Sequence, residues 1–262
     1  MALLRPTAVA GQFYPAEPEK LSAMVAGWLD VARPPATPAP KAIVAPHAGY
    51  VYSGALAGAC HRRFLADRAV IRRVVLLGPA HRVALRGLGA TSADFWATPL
   101  GPVAIDREAL AALSDLPFVA VHDAAHAQEH ALEVHLPFLK LALPQAKIVP
   151  LVVGQASHAE VAAVLERLWD GPETRIVISS DLSHYLPYDA ARRLDAQTAE
   201  AVESLDEGGL GHEQACGRIP LGGLMLAAKR HGLGVERLGL INSGDTAGTK
   251  DRVVGYGGWA FG

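Results

Sequence analysis

From Lys41 to the C-terminus, short aliphatic runs alternate with stretches of helical periodicity, and this alternation restricts the fold more than any other feature. Short aliphatic runs read as strands, and the helical patterns between them read as helices. The strand candidates are 41–46, 73–78, 87–92, 147–153, 175–180, 235–242 and 252–260. The helix candidates lie near 53–66, 106–114, 132–142, 157–169, 189–204 and 219–231. Such alternation predicts an α/β fold: one domain over residues 1–262, a layered sandwich with a mixed, largely parallel sheet flanked by helices.

Local signals sharpen several boundaries. Leu21, Met24, Val25, Trp28 and Leu29 form one apolar stripe of an earlier helix. The proline-rich stretch Arg33–Pro40 stops it and reads as a surface connector. Ser157 followed by Glu160 is a capping box, with Val161, Val164, Leu165, Leu168 and Trp169 on one face behind it. Lys229, Arg230 and His231 followed by Gly232 mark a helix C-terminus.

Three of the strand-like runs end in histidine. "IVAPHAGYVYSG" brings His47, "VVLLGPAHR" brings His81, and "IVISSDLSHY" brings Asp181 and His184. If these strands are parallel neighbours, all four side chains arrive at one edge of the sheet, where α/β folds gather their ligands. A single histidine after a strand is usually structural, but a packed core gains nothing from repeating the pattern three times. Pro46 would then end a strand with His47 just beyond it, and Gly49 would allow close backbone approach. Tyr50 and Tyr52 would wall a pocket, although core packing accounts for either ring equally well.

Cys216, in "ACGRIPLGG", precedes a helix candidate, where a helix N-terminus would favour the thiolate. A buried, inert thiol is the competing reading there and the better one for Cys60. The segment His122–Leu139 is also rich in histidine. His122, His126 and His130 are four apart, a spacing compatible with zinc on a helix, yet no HExxH motif is present. The alanine-rich surroundings predict an exposed loop for His122 and His126. Glu129, His130, Glu133 and His135 would line a pocket or support one. His61, His158, His212 and His231 read as structural or exposed.

Lys and Arg number 24 against 26 Asp and Glu, a formal charge of −2, with no block of like charge. That balance argues against nucleic acid or a membrane surface as partner. No apolar run spans a bilayer and the N-terminus lacks the pattern of a signal peptide. Two cysteines make no disulfide framework, so a soluble cytoplasmic protein is expected.

Six segments in order, "AGQFYP", "IVAPHAGYVYSG", "LLGPAH", "EHALEVHLPFL", "VISSDLSHY" and "CGRIPLGG", together resemble the Memo-like proteins, called AmmeMemoRadiSam system protein B in prokaryotes. The resemblance runs from near residue 11 to near residue 223. It implies a fold similar to class III extradiol ring-cleaving dioxygenases, with His47, His81 and Cys216 as metal ligands. It further implies that His184 acts as acid/base beside Asp181, and that His130 and His135 occupy pocket positions. One transition metal ion is implied, iron or copper, with zinc a third candidate. Those dioxygenases bind Fe(II) through two histidines and a carboxylate, whereas here the third ligand would be a soft thiolate. Two functions follow: a metal-dependent oxidoreductase or dioxygenase-like enzyme with a small-molecule substrate, or a non-catalytic metal-binding or protein-interaction module on the same site. Retention of His184 and Asp181 favours the enzyme, since a metal buffer needs no acid/base pair. A hydrolytic pairing of Cys216 with His184 is a weaker third reading.

Overall fold

The computed structural model describes residues 2–30, 32–33, 35–169 and 171–262. Pro34 of the proline connector lies outside them. In chain order the strands are β1 (Leu4–Arg5), β2 (Ala42–Ala45), β3 (Arg73–Pro79), β4 (Leu88–Ala90), β5 (Phe95–Trp96), β6 (Val103–Ala104), β7 (Val119–Val121), β8 (Lys147–Val153), β9 (Thr174–Ser179), β10 (His184–Leu186), β11 (Val235–Asn242) and β12 (Val253–Phe261). The helices are α1 (Pro18–Leu29), α2 (Tyr50–Arg62), α3 (Arg107–Ala111), α4 (Asp123–Ala127), α5 (Leu136–Ala142), α6 (His158–Arg167), α7 (Tyr188–Glu203) and α8 (Arg218–His231).

The main sheet runs β10-β12-β2-β9-β3-β8-β4-β7, with β11 paired to β12. Its centre, β2-β9-β3-β8, is parallel, while β12 pairs antiparallel with β2, β10 and β11, and β4 antiparallel with β8. The sheet is thus mixed, as expected, with a parallel core. A small second sheet joins β1, β5 and β6.

Side chains alternate across a strand, so each central strand feeds two cores. Ile43, Val74, Leu76 and Val177 face a layer built from α1, α2 and α5. Val44, Val75, Leu77, Ile176 and Ile178 face α6, α7 and α8. Burial on both faces explains why these strands read as unbroken aliphatic runs rather than alternating ones. The Ser157–Glu160 capping box opens α6, and Gly232, at φ 66°, closes α8. Elements of two or three residues, such as β7 and β10, escaped sequence reading because they are too short to show a period. Among the described residues, no helix is long and apolar enough to cross a membrane.

Candidate metal centre

Parallel pairing puts the carboxyl ends of β2, β9 and β3 on one edge of the sheet. His47 follows β2 by two residues and His81 follows β3 by two. Pro46 has no N–H to extend the ladder, so the chain leaves the sheet there. Cys216 comes from the loop before α8, tied down where its amide donates to the Asp181 carbonyl at 3.3 Å. The next residue must be glycine, because a Cβ at Gly217 would sit 2.6 Å from the Ser179 carbonyl oxygen. Gly49 carries no such constraint. A Cβ there would meet the Phe13 oxygen at 3.6 Å, an ordinary contact, so the expected close approach falls at Gly217 instead.

His47, His81 and Cys216 each offer one ligand atom, and the three atoms lie within 4.8 Å of one another. Cys216 Sγ is 3.4 Å from His47 Nε2. Both imidazoles are oriented from behind. The Ser179 hydroxyl donates its one proton to the Ala131 carbonyl at 2.6 Å. It can therefore only accept from His47 Nδ1, at 2.6 Å, and from His135 Nε2, at 2.9 Å. Glu129 accepts from the His81 amide at 2.6 Å and from His81 Nδ1 at 3.0 Å. Each ring thus holds its proton on Nδ1 and keeps a lone pair on Nε2, the arrangement in which outer partners preset a metal-binding histidine.

Electrostatics at the site follow from burial. Burial, then the neighbouring His81 and His130, hold His47 well below the ordinary imidazole range, so its ring is neutral. Burial would raise Glu129, but hydrogen bonds from His81 and from backbone amides override it and hold the carboxyl down to about 2. Asp181 is pushed up to about 7 by burial, opposed by the His47 amide and by His81. Cys216 is pushed up to about 12 by burial and then by Asp181, against amide donation from Gly217. The start of α8 therefore does not by itself produce the thiolate that the sequence suggested. A cation at this point would take the place of the thiol proton. Two imidazole nitrogens and one sulfur fit a transition metal ion better than Mg or Ca.

A cavity of about 650 Å³ opens over the two histidines, lined also by Tyr52, His130, Asp181 and His184. Cys216 lies behind them and borders a separate cavity of about 240 Å³. His130 stacks on His81, with ring centroids 4.8 Å apart. His184 donates from Nδ1 to the Leu182 carbonyl at 2.7 Å, which leaves Nε2 as a base, and burial lowers its pKa. Asp181 makes no hydrogen bond to His184 among the described residues. Its Oδ1 accepts from the His47 amide at 2.8 Å, and its Oδ2 is 3.9 Å from His47 Nε2.

Other positions depart from expectation. His135 is fully buried and does not line the cavity; it braces Ser179 from the core. His126 is buried in α4, donating from Nε2 to the Gly89 carbonyl, because α4 packs under β4 instead of forming an exposed loop. Tyr50 belongs to the core, with its hydroxyl on the Val134 carbonyl, whereas Tyr52 is on the cavity wall. Ser179 was not apparent in the sequence, since nothing in "ISSDLSH" separates it from Ser180. Arg5 likewise carries no local signal in the sequence. Its buried guanidinium binds Glu133 at 2.6 Å and the His126 and Glu129 carbonyls at 2.9 and 2.8 Å, clamping the turn that carries Glu129.

Residues 5–260 match the family model of the Memo-like protein. The chain belongs to the Memo-like family. It is similar, at 36% identity, to MEMO1 family proteins of Archaeoglobus fulgidus and Aquifex aeolicus, each match covering 98% of this chain and 99% of the relative. It is 33% identical to Protein MEMO1 of Xenopus tropicalis over 87% of this chain and 85% of that one. The crystal structure of an uncharacterized Escherichia coli K12 protein shares the fold at a TM-score of 0.52 and 13% identity, covering 83% of this chain and 98% of that chain. Members of the Memo-like family therefore span archaea, bacteria and vertebrates.

Proposed function

We propose that this Memo-like protein is a metal-dependent oxidoreductase of dioxygenase-like type acting on a small molecule, with His47, His81 and Cys216 as its ligands. The observation that carries the reading is that both imidazoles are preset by Ser179 and Glu129, with the Cys216 sulfur beside them. An iron or copper ion held there would supply Lewis acidity and one-electron chemistry. The chain's own contribution is positional and protic. Neutral His184, on the cavity wall, accepts a proton at Nε2 from a bound substrate. Asp181 holds His47 through its amide, and Tyr52 and His130 shape the space in which a substrate sits.

His47→Ala, His81→Ala and Cys216→Ala should each weaken metal binding by more than about 100-fold, beyond what an orienting neighbour alone contributes. His184→Ala should keep the metal and lose oxygen-dependent or redox turnover. Elemental analysis after purification, paired with a turnover assay, checks both; full occupancy in all three ligand variants overturns the ligand set. The second reading is a non-catalytic metal-binding module, favoured by a cysteine in the proposed ligand set where the resemblance to the dioxygenases implies a carboxylate. It predicts identical metal content and no turnover in either wild type or His184→Ala.

A further inference from the structure

The cavity above the candidate centre has a sign and a texture of its own. Although the chain carries a formal charge of −2, two arginines, Arg82 and Arg252, line this cavity. Asp181 is the only carboxyl on its wall among the described residues, and that group is turned inward onto the His47 amide. Among the described residues, neither arginine has an acidic partner. Arg252 is held in place by its neighbour instead, its guanidinium lying 5.2 Å over the Tyr185 ring. Unpaired guanidinium groups beside a concave wall focus positive potential on whatever enters. The remaining wall is rich in rings, with Phe13, Tyr52 and Tyr185 among the lining residues.

We propose that the cavity binds a small aromatic carboxylate, its ring between Phe13, Tyr52 and Tyr185 and its carboxylate on Arg82 and Arg252. The inference rests on reading this cavity as the substrate site. A planar fork of N–H donors matches a carboxylate edge-on and in two places at once. A phosphate fits less well. Phosphate sites draw on free backbone amides at a helix start. Here the first amide of α2, Tyr50 N–H, is already committed to the Phe13 carbonyl at 2.7 Å.

Calorimetric titration of the full-length protein, metal-free and zinc-loaded, with benzoate, benzyl alcohol and phenyl phosphate tests the assignment. Benzoate should bind, and neutral benzyl alcohol should bind at least about tenfold more weakly, the effect of one charge-assisted hydrogen bond. Arg82→Gln and Arg252→Gln should each weaken benzoate about tenfold, with partial recovery in the Lys variants. Both side chains are exposed, so these variants should fold. Benzoate affinity unmoved in both Gln variants, or benzyl alcohol binding as tightly as benzoate, overturns the proposal. So does tighter binding of phenyl phosphate. His47→Ala separates the two readings: if it keeps its metal while benzoate still depends on the arginines, the ligand set fails and the carboxylate site stands.

Discussion

At the scale of single residues, the candidate centre depends as much on what stands behind the histidines as on the histidines themselves. Ser179 and Glu129 bond the two rings at Nδ1, and so set which nitrogen of each ring is free. Ser179→Ala removes the acceptor for two imidazoles at once, and Glu129→Gln swaps a charged acceptor for a neutral one. Each should lower metal affinity about 10- to 100-fold while leaving His47, His81 and Cys216, the proposed ligands, in place. Competition against a chromophoric chelator measures this; an unchanged affinity in both variants means that the rings are held by other contacts. Legibility also differed residue by residue. His47, His81 and Cys216 stood out because each interrupts an aliphatic run or a glycine-rich turn. Ser179 and Arg5 did not, because a serine at a strand end and an arginine near the N-terminus acquire meaning only from distant partners.

Helices and strands show the same division. The capping box of α6 and the glycine stop of α8 were readable because their partners lie within three or four residues. The crossing of α1 over α2 was not. There Gly54 and Gly58 of α2 pass directly under Trp28, and a Cβ on Gly58 would sit 2.5 Å from the Trp28 Cβ. Gly58→Ala should therefore destabilise the protein by about 1–3 kcal/mol through overpacking, despite the better helix propensity of alanine. Gly27, on the exposed face of α1, has nothing within 4 Å of its Cβ position. Gly27→Ala should stabilise by about 0.5–1 kcal/mol. Urea unfolding of the pair decides the matter, since stabilisation by both substitutions would show that the α1–α2 contact tolerates extra volume.

For the molecule as a whole, buried histidines set how stability responds to pH. Burial lowers His61 and His126 to about 4, each opposed by a hydrogen bond to a backbone carbonyl. A group depressed in the folded state contributes stability that is present above its unfolded pKa of 6.5 and lost as pH falls through about 4. Asp181, raised to about 7, has the opposite sign, losing its contribution as pH rises from 3.8 through 7. Two histidines outweigh one carboxyl, so the metal-free protein should lose stability as pH falls from 6.5 to 4, by up to about 3 kcal/mol per histidine. His126→Gln keeps a donor for the Gly89 carbonyl and removes the titration. Its melting temperature should fall less steeply over that window, and equal slopes in both proteins would exclude His126 as a source. The sequence by itself determined the α/β class, most of the long elements and the residue types at the strand ends, because strand period, caps and proline stops act over a few residues. Only the tertiary structure decided that β9 lies between β2 and β3 and that Cys216 meets His47 across 169 residues of chain. It also decided that Asp181 serves the His47 amide and that His135 braces Ser179 from the core. Those choices belong to strand order and packing, where a polar group takes whichever partner the fold brings within about 3 Å, and no local pattern records that partner in advance.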